Sequence, residues 1–188
     1  MDSDVEQTRL GKTQLVVVMG VSGAGKTTVG RRLAEDLGWS FYDGDEYHPQ
    51  ANVEKMSQGV PLTDDDRALW LDRLRALVDD LLAAGEPGVL ACSALKRSYR
   101  QQLGRDRPCV RFVYLQGNQP LIRERLQQRD EHFMEEDLLA DQFETLEEPE
   151  DMLTVAIDQG PEDVVREIRA GLGLQDKARD QDGEEVCQ

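Results

Sequence analysis

Residues 16–28, VVVMGVSGAGKTT, constrain the fold of this chain more than any other stretch of its sequence. The apolar run Leu15 to Met19 is bounded by polar residues and glycine, which favours a strand buried on both faces. After the glycines, Val29, Leu33 and Leu37 recur at helical spacing and predict a helix over 26–37. The stretch therefore predicts a strand, a glycine-rich loop and a helix in direct succession.

The loop itself matches GxxxxGK[ST] from Gly20 to Thr27, in the strand–loop–helix context that gives this pattern physical meaning. Backbone N–H groups of the loop and of the helix N-terminus are expected to bind the phosphates of a nucleoside triphosphate. Lys26 would contact the β- and γ-phosphates, and the Thr27 hydroxyl would bind Mg²⁺. A glycine-rich turn without a ligand is the alternative. The nucleotide-binding residues that we expect are Gly20, Ser22, Gly23, Ala24, Gly25, Lys26, Thr27 and Thr28.

The rest of the chain alternates apolar runs with helical patterns. This alternation predicts an α/β fold with a five-stranded parallel sheet sandwiched between helices. Ligands of such sheets bind at the carboxyl ends of the strands, where the glycine-rich loop, DGD (43–45) and CSALK (92–96) all fall. A long helical pattern follows Asp64, which we expect to cap it. The four further strand candidates are 39–45, 88–95, 110–116 and 153–158.

With 188 residues, 39% of them hydrophobic, the chain can build one domain with a core. We expect a flexible N-terminus at 1–12, the domain at 13–171, and an acidic, disordered tail at 172–188. No stretch approaches the roughly 20 apolar residues that cross a bilayer, and the N-terminus lacks the apolar middle of a signal peptide. The sequence therefore predicts a cytoplasmic location.

The charge of the chain narrows the partners that it can bind. Acidic residues outnumber basic ones 38 to 22, and the net charge of -16 disfavours nucleic acid and anionic membrane surfaces. An anionic small molecule would therefore need a local basic site. Residues 96–111 hold six basic side chains against Asp106 alone, and Arg123, Arg125 and Arg129 follow on one predicted helix. A solvated charged face is the alternative for each cluster.

Two carboxylates flank Gly44 at the end of the second predicted strand, at Asp43 and Asp45. On an extended segment, side chains two residues apart share a face. One carboxylate could hold Mg²⁺ through water while the other accepts the proton of an attacking hydroxyl. A plain Asp–Gly turn is the alternative, and the glycine-rich loop upstream disfavours it.

Four stretches together resemble a gluconokinase of the small P-loop type: MGVSGAGKT, YDGDEYHPQANVEKMSQGVPLTDDDRALWL, CSALKRSYR and QFETLEEP. The resemblance runs from about Leu15 to about Gly171, and this family is related in fold to shikimate kinase and the nucleoside monophosphate kinases. Such enzymes phosphorylate D-gluconate to 6-phosphogluconate with MgATP, feeding the pentose phosphate or a related pathway. The resemblance implies a P-loop kinase fold with a mobile lid at about 123–137, ATP and Mg²⁺ as cofactors, and a homodimer.

The resemblance also implies roles for single residues. Gluconate carries one carboxylate and several hydroxyls, so its pocket should offer cations together with hydrogen-bond donors and acceptors. The implied cations are Arg67, Lys96 and Arg100, and the implied hydroxyl contacts are Asp45 and His48.

The resemblance also implies which residues carry out catalysis and which lid residues close over the nucleotide. Lys26, Asp43 and Asp45 are the expected catalytic residues, with Thr27 and Asp43 as the residues that bind Mg²⁺. Two arginines of the lid, Arg125 and Arg129, would close over the phosphates and exclude water.

Two other functions stay open from the sequence. One is a kinase of the same fold that acts on shikimate or another small polyol acid, and the other is a regulatory module that binds nucleotide without transferring phosphate. The paired carboxylates argue against the module, because mere binding does not need them beside the γ-phosphate. No catalytic task follows for QFETLEEP (142–149), which we expect to pack as part of a helix.

Overall fold

A computed structural model describes residues 13–127 and 135–174 of the chain. Segment 1–12, Arg129 with the rest of 128–134 in the expected lid, and residues 175–188 of the expected tail lie outside this description. The strands are β1 (Leu15–Met19), β2 (Ser40–Asp43), β3 (Gly88–Ala91), β4 (Val110–Gln116) and β5 (Leu153–Ala156). The helices are α1 (Lys26–Leu37), α2 (Gln50–Ser57), α3 (Asp64–Ala84), α4 (Arg97–Gln102), α5 (Gln119–Gln127), α6 (Glu135–Thr145) and α7 (Pro161–Leu172), and a 3-10 helix spans Gly44–Tyr47.

All five strands are parallel, in the order β2-β3-β1-β4-β5. The strand that precedes the glycine-rich loop, β1, lies in the centre, with Leu15 opposite Gly88 of β3 and opposite Val110 of β4. The predicted five-stranded parallel sheet is therefore confirmed. Its order places the carboxyl ends of β1, β2 and β3 along one edge, where the loop and the motif residues that follow β2 and β3 meet.

Helices cover both faces of the sheet, as a parallel sheet requires. Val16 and Val18 of β1 face a core that includes α1 and α7. Leu15, Val17 and Met19 face a second core that includes α3 and α4. All five residues of β1 are fully buried, which agrees with the apolar run seen in the sequence. No helix in the two described ranges is long and apolar enough to cross a membrane.

Strand β3 ends earlier than the sequence predicts, at Ala91 instead of residue 95. The chain leaves the sheet after Cys92, whose N–H still donates to the carbonyl oxygen of Val18 at 3.1 Å. Ala94 then has φ +44°, in the left-handed region that a strand cannot contain. The CSALK stretch is therefore mostly a loop, and this loop carries Lys96 away from the sheet.

Strand β2 also ends early, at Asp43 instead of residue 45. The Asp43 side chain accepts a hydrogen bond from the N–H of Asp45 at 3.2 Å and so caps the 3-10 helix that follows. Gly44 packs against β3, where an added Cβ would lie only 2.7 Å from the carbonyl oxygen of Ala91. The two aspartates therefore lie at a turn instead of on one face of a strand.

Helix α3 begins one residue earlier than a cap at Asp64 would place it, so the expectation that Asp64 caps the helix is wrong. Thr63 is the N-cap and forms a capping box with Asp66, in which each side chain accepts from the other residue's backbone N–H. Asp64 is the first helical residue, so its side chain is left available for the site described next.

Candidate active site

The glycine-rich loop turns sharply between β1 and α1. Gly23 and Gly25 have φ angles of 78° and 94°, in the region that favours glycine. The loop also runs close to α5, since a Cβ at Gly23 would lie 2.9 Å from Cγ2 of Ile122. Gly25 is the N-cap of α1 and forms no side-chain cap hydrogen bond. This uncapped helix start beside a glycine-rich loop is suited to bind a phosphate group.

Lys26 and Thr27 begin helix α1 and point to different partners. The Lys26 Nζ donates to the carbonyl oxygen of Val21 at 3.0 Å, so the ammonium group lies against the loop. The Thr27 hydroxyl donates to Oδ2 of Asp43 at 3.1 Å. This contact brings the end of β2 to the first turn of α1, although β3 lies between β1 and β2 in the sheet.

A hydroxyl oxygen and a carboxylate oxygen at this distance are the hard ligands that Mg²⁺ prefers. Within 13–127 and 135–174, no three His, Cys, Asp or Glu side chains lie close enough together to hold a metal ion on their own. Mg²⁺ commonly binds one or two protein ligands together with water and substrate phosphates. Thr27 and Asp43 fit that kind of site beside the loop.

Asp45 follows Asp43 on the turn that the latter caps. One oxygen of the Asp43 carboxylate accepts from Thr27, and the other accepts from the backbone of Asp45. The side chain of Asp45 is exposed, whereas Gly44 between the two aspartates is buried. Asp43 is thus engaged in holding the site together, and Asp45 presents a carboxylate to solvent from a fixed backbone.

His48 stacks on Trp70, with ring centroids 4.5 Å apart and an angle of 10° between the planes. Trp70 is buried in α3, and its indole N–H donates to the carbonyl oxygen of Gly44 at 2.8 Å. Burial lowers the pKa of His48, and the nearby charge of Asp45 partly opposes this shift. His48 is therefore favoured as a neutral imidazole, which can donate and accept hydrogen bonds beside Asp45.

Two of the cations expected to bind substrate converge on Asp64 at the start of α3. The Lys96 Nζ donates to both Asp64 oxygens, at 2.8 and 2.7 Å, and NH1 of Arg67 lies 3.9 Å from Oδ1. The Tyr99 hydroxyl donates to Oδ1 as well. These hydrogen bonds, first that of Lys96 and then that of Tyr99, lower the pKa of Asp64.

Sequence reasoning missed this role of Asp64, which it treated only as a helix cap. The signal that could have found it is the acidic run of TDDDRALWL, placed in one motif with Arg67. One carboxylate with three polar partners indicates an organised, hydrogen-bonded cluster rather than charges that are solvated separately, although the Asp64 side chain is 61% exposed.

Arg100, the third expected cation, is placed differently. The residue is 4% exposed, and its NH1 donates to the carbonyl oxygens of Ala94 and Leu95, each at 3.0 Å. Its NH2 donates to the carbonyl oxygen of Glu147 at 3.0 Å. A substrate contact would require these bonds to break, so we treat Arg100 as a support of the loop that carries Lys96.

A cavity of about 350 Å³ opens beside the glycine-rich loop. Apolar side chains of α1, α7 and the end of β5 line it together with Arg125 and Gln159. Arg125 donates from NH2 to the carbonyl oxygen of Ile157, which holds its guanidinium at this wall. An apolar cavity with a few polar groups next to a phosphate site is suited to a nucleotide base. Arg129, the other expected lid arginine, lies outside the described residues.

Comparison with known proteins agrees with this geometry. Residues 15–149 match a sequence family described as "AAA domain". A gluconokinase of Gluconobacter oxydans (strain 621H) is 48% identical over 166 residues, which are 86% of this chain and 93% of that protein. The crystal structure of a gluconokinase from Sinorhizobium meliloti 1021 has a TM-score of 0.76 at 45% identity, covering 87% of this chain and 93% of that one. A shikimate kinase from Aquifex aeolicus vf5, 19% identical with a TM-score of 0.56, covering 85% of this chain and 96% of that one, shares the fold alone.

Replacing His48 with phenylalanine should reduce the pH dependence of stability. Burial lowers the pKa of His48 in the folded chain. Below about pH 6.5, the imidazole of His48 therefore takes up a proton more readily in the unfolded chain than in the folded chain. The free energy of unfolding should therefore be fully retained above that pH and should fall as the pH drops through the window between the two pKa values. Phenylalanine keeps a ring on Trp70 but cannot titrate.

Urea unfolding at pH 7.5 and at pH 5.5 measures this difference. The wild-type chain should lose more unfolding free energy between the two pH values than His48→Phe does. An equal loss in both proteins would show that His48 does not titrate differently in the folded and unfolded states.

Proposed function

The chain belongs to the gluconokinase family, and we propose that it transfers the γ-phosphoryl group of ATP to D-gluconate to give 6-phospho-D-gluconate. The observation that carries the proposal is the contact of Thr27 with Asp43, which sets a carboxylate pair beside a phosphate-binding loop. Kinase chemistry needs this combination of phosphate binding and a proton acceptor.

The donor side uses the loop and the start of α1. Loop N–H groups would bind the phosphates of ATP, and Lys26 would exchange its bond to the Val21 carbonyl for phosphate oxygens. Thr27 and Asp43 would hold Mg²⁺, which when bound neutralises negative charge on the β- and γ-phosphates. The base would occupy the cavity walled by Arg125, and we propose that Arg129 adds a second guanidinium to the phosphates.

The acceptor side begins at Asp45. Its exposed carboxylate would accept the proton of the attacking primary hydroxyl of gluconate. As the hydroxyl oxygen bonds to the γ-phosphorus, the bond from that phosphorus to the β–γ bridging oxygen breaks and ADP leaves. His48, neutral and adjacent to Asp45, would hold a hydroxyl of the substrate near the reacting one.

The carboxylate of gluconate would bind at the cluster of Arg67, Lys96 and Asp64. Asp64 orients the Lys96 ammonium through two hydrogen bonds before substrate arrives. The Arg67 and Lys96 side chains are 20% and 29% exposed, so the gluconate carboxylate could reach both cations. Charge-assisted hydrogen bonds to them would offset repulsion by Asp64. Such a cluster favours an acid over a neutral sugar.

We also propose that the chain forms a homodimer and acts in the cytoplasm. The exposed apolar side chains Val53, Val60 and Leu69 support the dimer, since they leave apolar surface near α2 and α3 in the single chain. Sedimentation of the purified protein measures the oligomeric state. A monomer at micromolar concentration would remove this part of the proposal.

The acceptor is tested by ADP release in a coupled assay with MgATP. D-gluconate should support turnover, whereas shikimate, free sugars and an assay without acceptor should not. The shared fold of shikimate kinase does not favour shikimate, because its sequence identity to this chain is far lower. Turnover with shikimate in place of gluconate would overturn the proposed substrate, and ATP binding without turnover would favour a nucleotide-binding module.

Replacing Asp45 with asparagine should separate binding from chemistry. Asparagine keeps the size of the side chain and the backbone bond to Asp43, but it cannot take up the proton. We expect kcat to fall by about 100-fold or more, with the Kd of ADP within about twofold of wild type. A loss of nucleotide binding equal to the loss of turnover would contradict the assigned role of Asp45.

Replacing Lys96 with methionine should act on the acceptor. Removal of the ammonium group should raise the KM for gluconate by about tenfold or more, while the KM for ATP stays near wild type. Lys55→Met is the matched control, because Lys55 also pairs with an acidic residue at the start of α3, namely Asp66 at 2.6 Å. Equal effects of the two substitutions on the KM for gluconate would refute a specific contact at Lys96.

A further inference from the structure

The motif QFETLEEP has no task in the reaction as proposed, yet its side chains contact both halves of the site. Helix α6 ends within it, and several of its residues make contacts far from their own position in the sequence. We name three of them, Gln142, Leu146 and Glu147, the brace. The inference drawn from them rests on the proposed function.

At one end of the brace, Gln142 binds the glycine-rich loop through both atoms of its side-chain amide. Its Oε1 accepts from the backbone N–H of Ser22 at 2.7 Å, and its Nε2 donates to the Ser22 hydroxyl at 3.1 Å. The two residues are 120 positions apart in the chain. Two hydrogen bonds from one amide fix both the position and the rotation of the Ser22 peptide unit.

At the other end, Glu147 binds the loop that carries Lys96. The Glu147 N–H donates to the carbonyl oxygen of Leu95 at 3.0 Å, and its Oε2 accepts from the N–H of Arg97 at 2.6 Å. These bonds hold the backbone on each side of Lys96. The carboxylate of Glu147 also supplies the first turn of α4 with an acceptor that its N-cap, Lys96, does not provide.

Arg100 also joins Glu147 to the loop that carries Lys96. Its buried guanidinium links the carbonyl oxygen of Glu147 to those of Ala94 and Leu95. Ala94 has φ +44°, a conformation that costs free energy and persists only where its surroundings hold it. The path of the loop toward Lys96 therefore depends on the bonds that Glu147 and Arg100 make.

Leu146 joins the two ends of the brace to the body of the domain. It is partly buried and packs against both hydrophobic cores, those on the two faces of the sheet. Its N–H donates to the carbonyl oxygen of Gln142 at 2.9 Å, which keeps the two residues in a helical relation. Because the segment is short and anchored in this way, the distance between its two ends is held nearly constant.

We propose that the brace positions the two substrates relative to each other during phosphoryl transfer. Gln142 holds Ser22 and with it the loop that binds the donor phosphates. Glu147 holds the loop whose Lys96 binds the acceptor carboxylate. The brace touches neither substrate, and it acts by fixing the separation of the two loops, to which the transfer rate is sensitive because small displacements of reacting groups are costly.

Gln142→Met tests the donor end of the brace. Methionine has a similar length and shape but cannot form the two hydrogen bonds to Ser22. We expect the Kd of ADP, measured by calorimetry, to rise about fivefold and kcat to fall about fivefold or more, with the KM for gluconate within about twofold of wild type. The matched control is Glu144→Met, an exposed position on the same helix and outside the brace, which should leave all three constants near wild type.

Glu147→Ala tests the acceptor end. Removal of its carboxylate should raise the KM for gluconate about fivefold and leave the Kd of ADP near wild type, the opposite pattern from Gln142→Met.

Ser22→Ala provides a second variant at the donor end, should Gln142→Met fold poorly. It should weaken ADP binding less than Gln142→Met does, and the double variant should be no weaker than Gln142→Met alone, because both changes delete the same Oγ to Nε2 hydrogen bond.

The values of kcat, the Kd of ADP and the KM for gluconate distinguish a positioning role of the brace from a merely structural one. Variants that lower the thermal unfolding midpoint but keep wild-type kcat, ADP Kd and gluconate KM would overturn the inference. An unchanged or tighter ADP Kd in Gln142→Met, with Ser22→Ala also unchanged, would overturn it as well. ADP binding needs no acceptor, so a wild-type chain that failed to phosphorylate gluconate would contradict the proposed function without deciding the donor end of the brace.

Discussion

The hydrogen bond between Thr27 and Asp43 is the contact on which the rest of the site depends. It joins the helix that follows the central strand to the end of a strand two positions away in the sheet. The second oxygen of Asp43 fixes the backbone of Asp45. One carboxylate therefore fixes Thr27 and the backbone of Asp45 relative to each other. Under the proposed function, this contact would set the Mg²⁺ site beside the proton acceptor.

The charged side chains at the proposed acceptor site are arranged in a similar way, around one carboxylate. A chain with a net charge of -16 repels anions at long range, so an acidic substrate must be bound by a few cations that are already oriented. Asp64 orients Lys96 and lies beside Arg67. Lys96 remains charged there, since the bond to Asp64 raises its pKa. The site thus presents a localised positive end inside an acidic protein.

Local signals in the sequence predicted much of this structure. Strand β1 and helix α1 have the predicted bounds, because an apolar run, a glycine-rich loop and helical spacing are each encoded within a few residues. Contacts between distant residues were not accessible in the same way. The pairing of Lys96 with Asp64 spans 32 positions, and that of Gln142 with Ser22 spans 120. The buried Arg100 likewise contacts the carbonyl oxygen of Glu147, 47 positions away, which no local pattern marks.

Phosphorus NMR of a reaction that contains the wild-type chain, MgATP and D-gluconate tests the proposed phosphoryl transfer most directly. The γ-phosphate resonance of ATP should be replaced by one phosphomonoester resonance, coupled to the C6 protons of gluconate, in equal amount to the ADP formed. Inorganic phosphate in place of that ester would show transfer to water and would contradict the assignment of Asp45, Lys96 and Arg67 to a gluconate site.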